Sequence, residues 1–180
     1  MALRTPPSWL QQGSHPAEND RLAAQGIIGT SGIIGANSLA VTANGTPNMS
    51  VNVAAGWAGI VSSTANAGLY QVYNDATANL AISTANPSNP RIDLSVVTVN
   101  DAYYSGLLNN CTFTVVAGTP AVSPTVPATP SNSIALAQVA VAAAATTITS
   151  SNITDVRVAA TSPLVAFDGD QSILANRVFS

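Results

Sequence analysis

Few side chains in this 180-residue chain can move a proton, attack a carbonyl or hold a metal. There is one histidine, His15, and one cysteine, Cys111. Zinc needs clustered Cys and His ligands, and a hydrolytic triad needs a nucleophile, a base and an orienting acid, so neither can be built from single copies. His15 precedes Pro16 in a stretch where nothing rigid is expected to hold it. Cys111 alternates with Phe113 and Val115 and reads as a small core hydrophobe. Asp168-Gly169-Asp170 offers oxygens, but a calcium site takes about six to eight of them, and the apolar neighbours suggest a polar turn instead. Asp75, Asp93 and Asp101 could meet at strand ends as a paired-carboxylate site. Asp93, set between Ile92 and Leu94 two residues after Arg91, is better explained as an ion-pair or hydrogen-bond partner. Tyr70, Tyr73, Tyr103 and Tyr104 could stack on a sugar, which keeps a carbohydrate-binding reading open beside that of tyrosines half buried at strand ends. The chain is therefore expected not to be an enzyme and to carry no cofactor or metal.

Composition bounds the partners. The charged residues are five arginines and eight acids, 7% of the chain, with no lysine and a net charge of −3. Scattered arginines give no footprint for nucleic acid. No apolar run is long enough to span a bilayer, and the N-terminus lacks the apolar stretch of a secretory signal. A surface so poor in charge is expected to end against other protein. With 47% hydrophobic but only 5% aromatic residues, the core should be thin and built from small side chains.

The elements that must position these groups are strands. Apolar and polar residues alternate with period two at 39–43, 49–53, 57–61, 69–73, 79–84, 92–96, 111–115, 134–141 and 153–158, with Asn, Gly and Pro turn signals between them. About nine short strands predict an all-β fold, a single β-sandwich or irregular barrel with extended N- and C-terminal arms. A phase change between Leu136 and Val139 predicts a bulge at Gln138. Four prolines in residues 118–130 exclude a helix or central strand and predict an extended strap pinned by Val122 and Val126.

Residues 1–38 read as an N-terminal arm, with a short helix over 16–25 and a connector made of two Gly-Ile-Ile-Gly phrases. Residues 39–160 form the sandwich, and 161–180 form a docking tail. Large apolar side chains in these flanks, Trp9, Leu10, Ile27, Ile28, Ile33, Ile34, Phe167 and Phe179, are the candidate assembly contacts. Gly56-Trp57 is expected to turn its indole over one end of the core. Asp155 and Arg157 lie two apart on one strand and could pair across to Arg91 and Asp93, giving one structural polar cluster that sets register.

Five phrases in fixed order carry a resemblance: Met49-Ser-Val-Asn-Val-Ala-Ala-Gly-Trp-Ala58, Tyr73-Asn-Asp-Ala76, Asn89-Pro-Arg-Ile-Asp-Leu94, Gly118-Thr-Pro-Ala121 and Ile153-Thr-Asp-Val-Arg157. Together, over about residues 39–158, they resemble a module of tailed-bacteriophage virion proteins, chiefly minor tail and baseplate-type proteins of phages infecting actinobacteria. The resemblance implies a non-enzymatic virion structural protein at the tail or on the head surface. It also implies partnership with copies of itself, a trimer being favoured, and with other virion proteins, without nucleic acid or membrane. A capsid decoration or head-fibre protein and a carbohydrate-binding receptor-recognition module are the alternatives.

Overall fold

Period-two alternation of small apolar side chains becomes ten strands in a computed structural model of the chain, which describes residue 14, residues 16–105 and residues 107–163. The order is α1 (Ala17–Ile28), β1 (Gly32–Ile34), β2 (Val41–Ala43), β3 (Ser50–Val53), β4 (Gly56–Val61), β5 (Leu69–Asn74), β6 (Ala78–Ala81), β7 (Arg91–Asn100), α2 (Ala102–Ser105), β8 (Asn110–Val116), β9 (Ser133–Val141) and β10 (Ile153–Asp155). Each of the nine expected stretches contains a strand. The additional one, β1, comes from the second Gly-Ile-Ile-Gly phrase, while the first closes α1.

The fold is all-β, in three antiparallel sheets ordered β1-β4-β5, β2-β3-β6 and β10-β9-β7-β8, and among the described residues no closed barrel forms. The second and third sheets face each other, with β2 beside β10 and β6 beside β8. One core joins all three. Ile33, Ala58, Ile60 and Val72 enter it from the first sheet, Val51, Val53 and Leu80 from the second, and Val97, Leu136, Val139 and Val141 from the third. Ile33, expected as an assembly contact, is therefore a core residue. The helix and β1 pack on this body, so the region before residue 39 is not all arm.

Strand β7 is buried on both faces. Val97 looks into the shared core, whereas Leu94 and Val96 are buried on the opposite face and lie outside that core cluster. The cause is connectivity. Strands β8 and β9 both pair antiparallel to β7 on its two sides, so the chain must return along the length of β7 between them. The proline-rich segment makes that return. Near its start the Ala121 N–H donates to the Pro90 carbonyl, and at its end the Asn132 carbonyl accepts from the Val99 N–H. Its valines do not pin it as expected: Val122 is 88% exposed and backbone hydrogen bonds hold the strap instead. The bulge also sits two residues earlier than expected. Ser95 faces Ala137 and Val96 faces Ala135, which leaves Leu136 as the extra residue and lets Leu136 and Val139 both enter the core.

On the core face of β7 lies a buried ion pair. Arg91 Nε and Nη2 donate to the two carboxylate oxygens of Asp93 at 2.8 and 3.1 Å, and Asp93 is fully buried. The remaining guanidinium donors reach the Thr84 carbonyl at 2.9 Å and the Ser83 carbonyl and hydroxyl at 2.6 and 2.9 Å, just past β6. The Gly118 N–H completes the carboxylate at 2.9 Å. Breaking such a pair strands a buried charge, so Arg91→Leu should cost about 3–5 kcal/mol in denaturant unfolding. Next on that face, the Ser95 hydroxyl is buried and has no hydrogen-bond partner. Ser95→Ala should raise stability by about 1 kcal/mol, since it removes an unsatisfied polar group; a loss would show that the hydroxyl is bonded.

Candidate interaction surface

Register decides what the first sheet shows to solvent. Ile34, Trp57 and Tyr73 occupy one rung across β1, β4 and β5, as do Gly32, Gly59 and Gln71 two residues along. Both rungs project away from the core, which takes the intervening Ile33, Ala58 and Val72. Helix α1 covers part of this outer face, and it approaches closely at two glycines. A Cβ at Gly68 would overlap the backbone of Arg21 and Leu22, and one at Gly59 would press on the Ile28 side chain. The helix ends there. Beyond Ile28 the aromatic rung is uncovered: Trp57 is 46% and Tyr73 54% exposed, and their rings stack at 4.2 Å. The indole thus lies outside the core rather than over its end.

An apolar groove of about 510 Å³ adjoins this face, lined by Ile27, Ile28, Ile33, Ile34, Ala159 and Ala160 among others. Ile27 is 52% exposed. The last described residues are tied to the end of the helix: the Ser162 hydroxyl donates to the Ile27 carbonyl at 2.6 Å, and the Thr161 N–H donates to Thr30 Oγ1 at 2.9 Å. Residues 161 and 162 therefore lie at the end of the helix, and Ser162 itself lines the groove. Four candidate contacts, Ile27, Ile28, Ile33 and Ile34, are thus gathered into one groove, with Ile33 as its core-facing floor. Trp9, Leu10, His15, Phe167, Asp168, Asp170 and Phe179 lie outside the described residues.

The expected four-residue polar cluster separates into two clamps. Asp155 stands opposite Ala137, which stands opposite Ser95, so two strand spacings, about 10 Å, divide β10 from β7. Asp155 instead pairs with Arg157 at 2.7 Å. Arg157 also donates to the Ser38 carbonyl at 2.7 Å, beside Leu39, a fully buried core residue held at a positive φ of 56°. The Arg157 hydrogen bonds push the Asp155 carboxyl down to about 2.

The opposite end of α1 carries a polar and aromatic cleft. Arg21 donates to the Ala67 carbonyl at 2.7 Å and to the Tyr104 hydroxyl at 3.1 Å, and its guanidinium lies 4.9 Å from the Tyr70 ring centre. The Tyr70 hydroxyl donates to Asp101 Oδ2 at 2.9 Å. Burial first, and then that hydrogen bond, raise the Tyr70 pKa, so it remains a neutral phenol. Of the three candidate carboxylates, Asp93 and Asp101 do not meet. Asp93 and Asp101 lie near opposite ends of β7, about 26 Å apart along the strand. Cys111 is exposed, contrary to expectation. It shares the face of Phe113 but lies beyond the edge of the core, at the end of the β7–β8 hairpin. Among the described residues no group of three or more His, Cys, Asp and Glu could hold a metal, and no helix is long and apolar enough to cross a membrane.

Asp155 generates a pH dependence. Because its folded pKa lies below its ordinary 3.8, its contribution is fully present above about pH 4 and is lost as the pH falls towards 2. Comparing the unfolding free energy of the native chain and Asp155→Asn should show a small gap at neutral pH, no more than about 1 kcal/mol for so exposed a pair, that narrows from about pH 4 and closes as the pH falls through 2; a constant gap would assign it to something other than ionisation. No protein-family model, curated protein or solved structure matches the chain.

Proposed function

We propose that this chain is a non-enzymatic structural protein of a phage virion, of the minor tail or baseplate type, that assembles with copies of itself and with neighbouring virion proteins. The observation that supports this reading is the uncovered apolar face, where Ile27, Ile34, Trp57 and Tyr73 stand together beside the groove. Contiguous exposed apolar surface on a folded domain marks a place where another protein sits. Stacked aromatics beside a groove are the residue types that dominate such contacts. The virion setting, and the preference for a trimer, rest on the ordered phrases of the central domain.

The three arginines among the described residues are all engaged in ion pairs within the chain, which favours apolar contact over charge pairing at this face. Helix α1 belongs to the folded body, so an N-terminal deletion that spares the described domain must end before Pro16. Sedimentation of the full chain over a range of concentrations tests the reading. The chain should self-associate, and Trp57→Ala should weaken that association by about 2 kcal/mol, roughly thirtyfold in Kd. A monomer at all concentrations, with Trp57→Ala incorporated normally into particles, would sink it.

A further inference from the structure

Tyr103 is the most exposed large aromatic in the described structure, at 85%, and packing gives no reason for it. It belongs to α2, which Asp101 holds in place: the Tyr103 N–H donates to Asp101 Oδ1 at 3.0 Å, and the Tyr104 N–H donates to the Asp101 carbonyl at 3.0 Å. The two tyrosine rings meet edge to face, 5.0 Å apart and at 85°. They wall a cleft of about 430 Å³ whose other sides include Glu18, Arg21, Asp101 and Asn109. A second hollow of about 380 Å³ shares Arg21, Asp101 and Asn109 with the first and continues past Gln71, Asn100 and Asn110. Volumes of this size fall in the ordinary small-molecule range of about 300–1,000 Å³.

The chemistry of the walls selects among ligands. Arg21 is a poor anion receptor, because its donors already serve the Ala67 carbonyl and the Tyr104 hydroxyl, and Asp101 lies 3.7 Å away. Glu18 and Asp101 bring two carboxylates against that one guanidinium, which disfavours phosphates and acidic sugars. What remains is an aromatic face bordered by amides and carboxylates. A sugar ring has the complementary form: an apolar C–H face that can lie on a tyrosine, and a rim of hydroxyls that both donate and accept.

We infer that this cleft is a binding site for a neutral saccharide, with the Tyr103 ring as its stacking platform and Arg21 as the group that positions Tyr104 and Asp101. The site is separate from the apolar face, which adjoins the other end of α1. It does not depend on the assembly reading.

Titration of the full chain with a panel of short neutral hexose and N-acetylhexosamine oligosaccharides, alongside a uronic-acid oligosaccharide, tests it by calorimetry and ligand-observed NMR. At least one neutral member should bind at millimolar concentration or below, and more tightly than the uronate. Tyr103→Ala, which removes an exposed ring and should leave the circular dichroism unchanged, should weaken binding by about tenfold, whereas Tyr103→Phe should stay within about twofold, because stacking uses the ring face and not the hydroxyl. Trp57→Ala should have no effect. Failure of every neutral member to bind, preference for the uronate, or indifference to Tyr103→Ala would each overturn the proposal. So would binding seen only after residues 1–13 are removed, since the cleft would then be the seat of the chain's own arm.

Discussion

The Arg91 guanidinium joins two sheets. It grips Asp93 on its own strand with two hydrogen bonds and reaches past β6 to Ser83 and Thr84 with the others, so one planar group sets the spacing between strands that are not hydrogen-bonded neighbours. An ion pair in such a place adds little net stability, because desolvation offsets much of the attraction; what it contributes is a geometry that a slipped register would leave unsatisfied. The Gly118 N–H closes the remaining side of the carboxylate and fixes where the strap begins its return along β7. Arg157 acts on a smaller scale, holding the Ser38 carbonyl and with it the turn that drives Leu39 into the core.

Around these clamps the core is made from short side chains, with valine, leucine, isoleucine and alanine from three sheets meeting in one cluster. Small residues let layers approach closely, as α1 does over Gly59 and Gly68. The same economy leaves a face unfinished. Twelve helical residues cover only part of the first sheet, and the aromatic rung past Ile28 stays exposed. The Arg21 arrangement at the far end of the helix is the reverse case, a polar and aromatic wall that is internally satisfied yet leaves Tyr103, at its rim, exposed.

The strands were legible because period two survives in any short run, and Ile92 to Val96 or Met49 to Val53 display it without help from the rest of the chain. Strand β1 was not, since the three residues Gly32-Ile33-Ile34 are too few to show a period. Alternation states which residues share a face but not which face becomes covered: Ala58 and Ile60 alternate with Trp57 as plainly as they would in a strand with its indole buried. Nor does it state depth along a strand, which is why Cys111, on the face of Phe113, ends beyond the core. The separation of the two ion pairs needed the order of strands, a long-range fact. The cleft beside α1 is equally non-local, because Arg21 and Tyr104 are 83 residues apart and nothing near either one announces the other.

The engagement of Arg21, Arg91 and Arg157 within the fold has a kinetic consequence. Electrostatic steering speeds protein association only when opposite charges face each other across the encounter, and the described domain keeps its cations inside while some of its acids remain outside. If copies associate as proposed, encounters between their described domains would find their orientation with little steering, at about 10⁵–10⁶ per molar per second rather than the far higher rates of charged pairs. Joining would be nearly indifferent to ionic strength, and it would be governed by temperature, because water released from apolar surface supplies the driving force. A face of that kind would answer to concentration and warmth more than to salt.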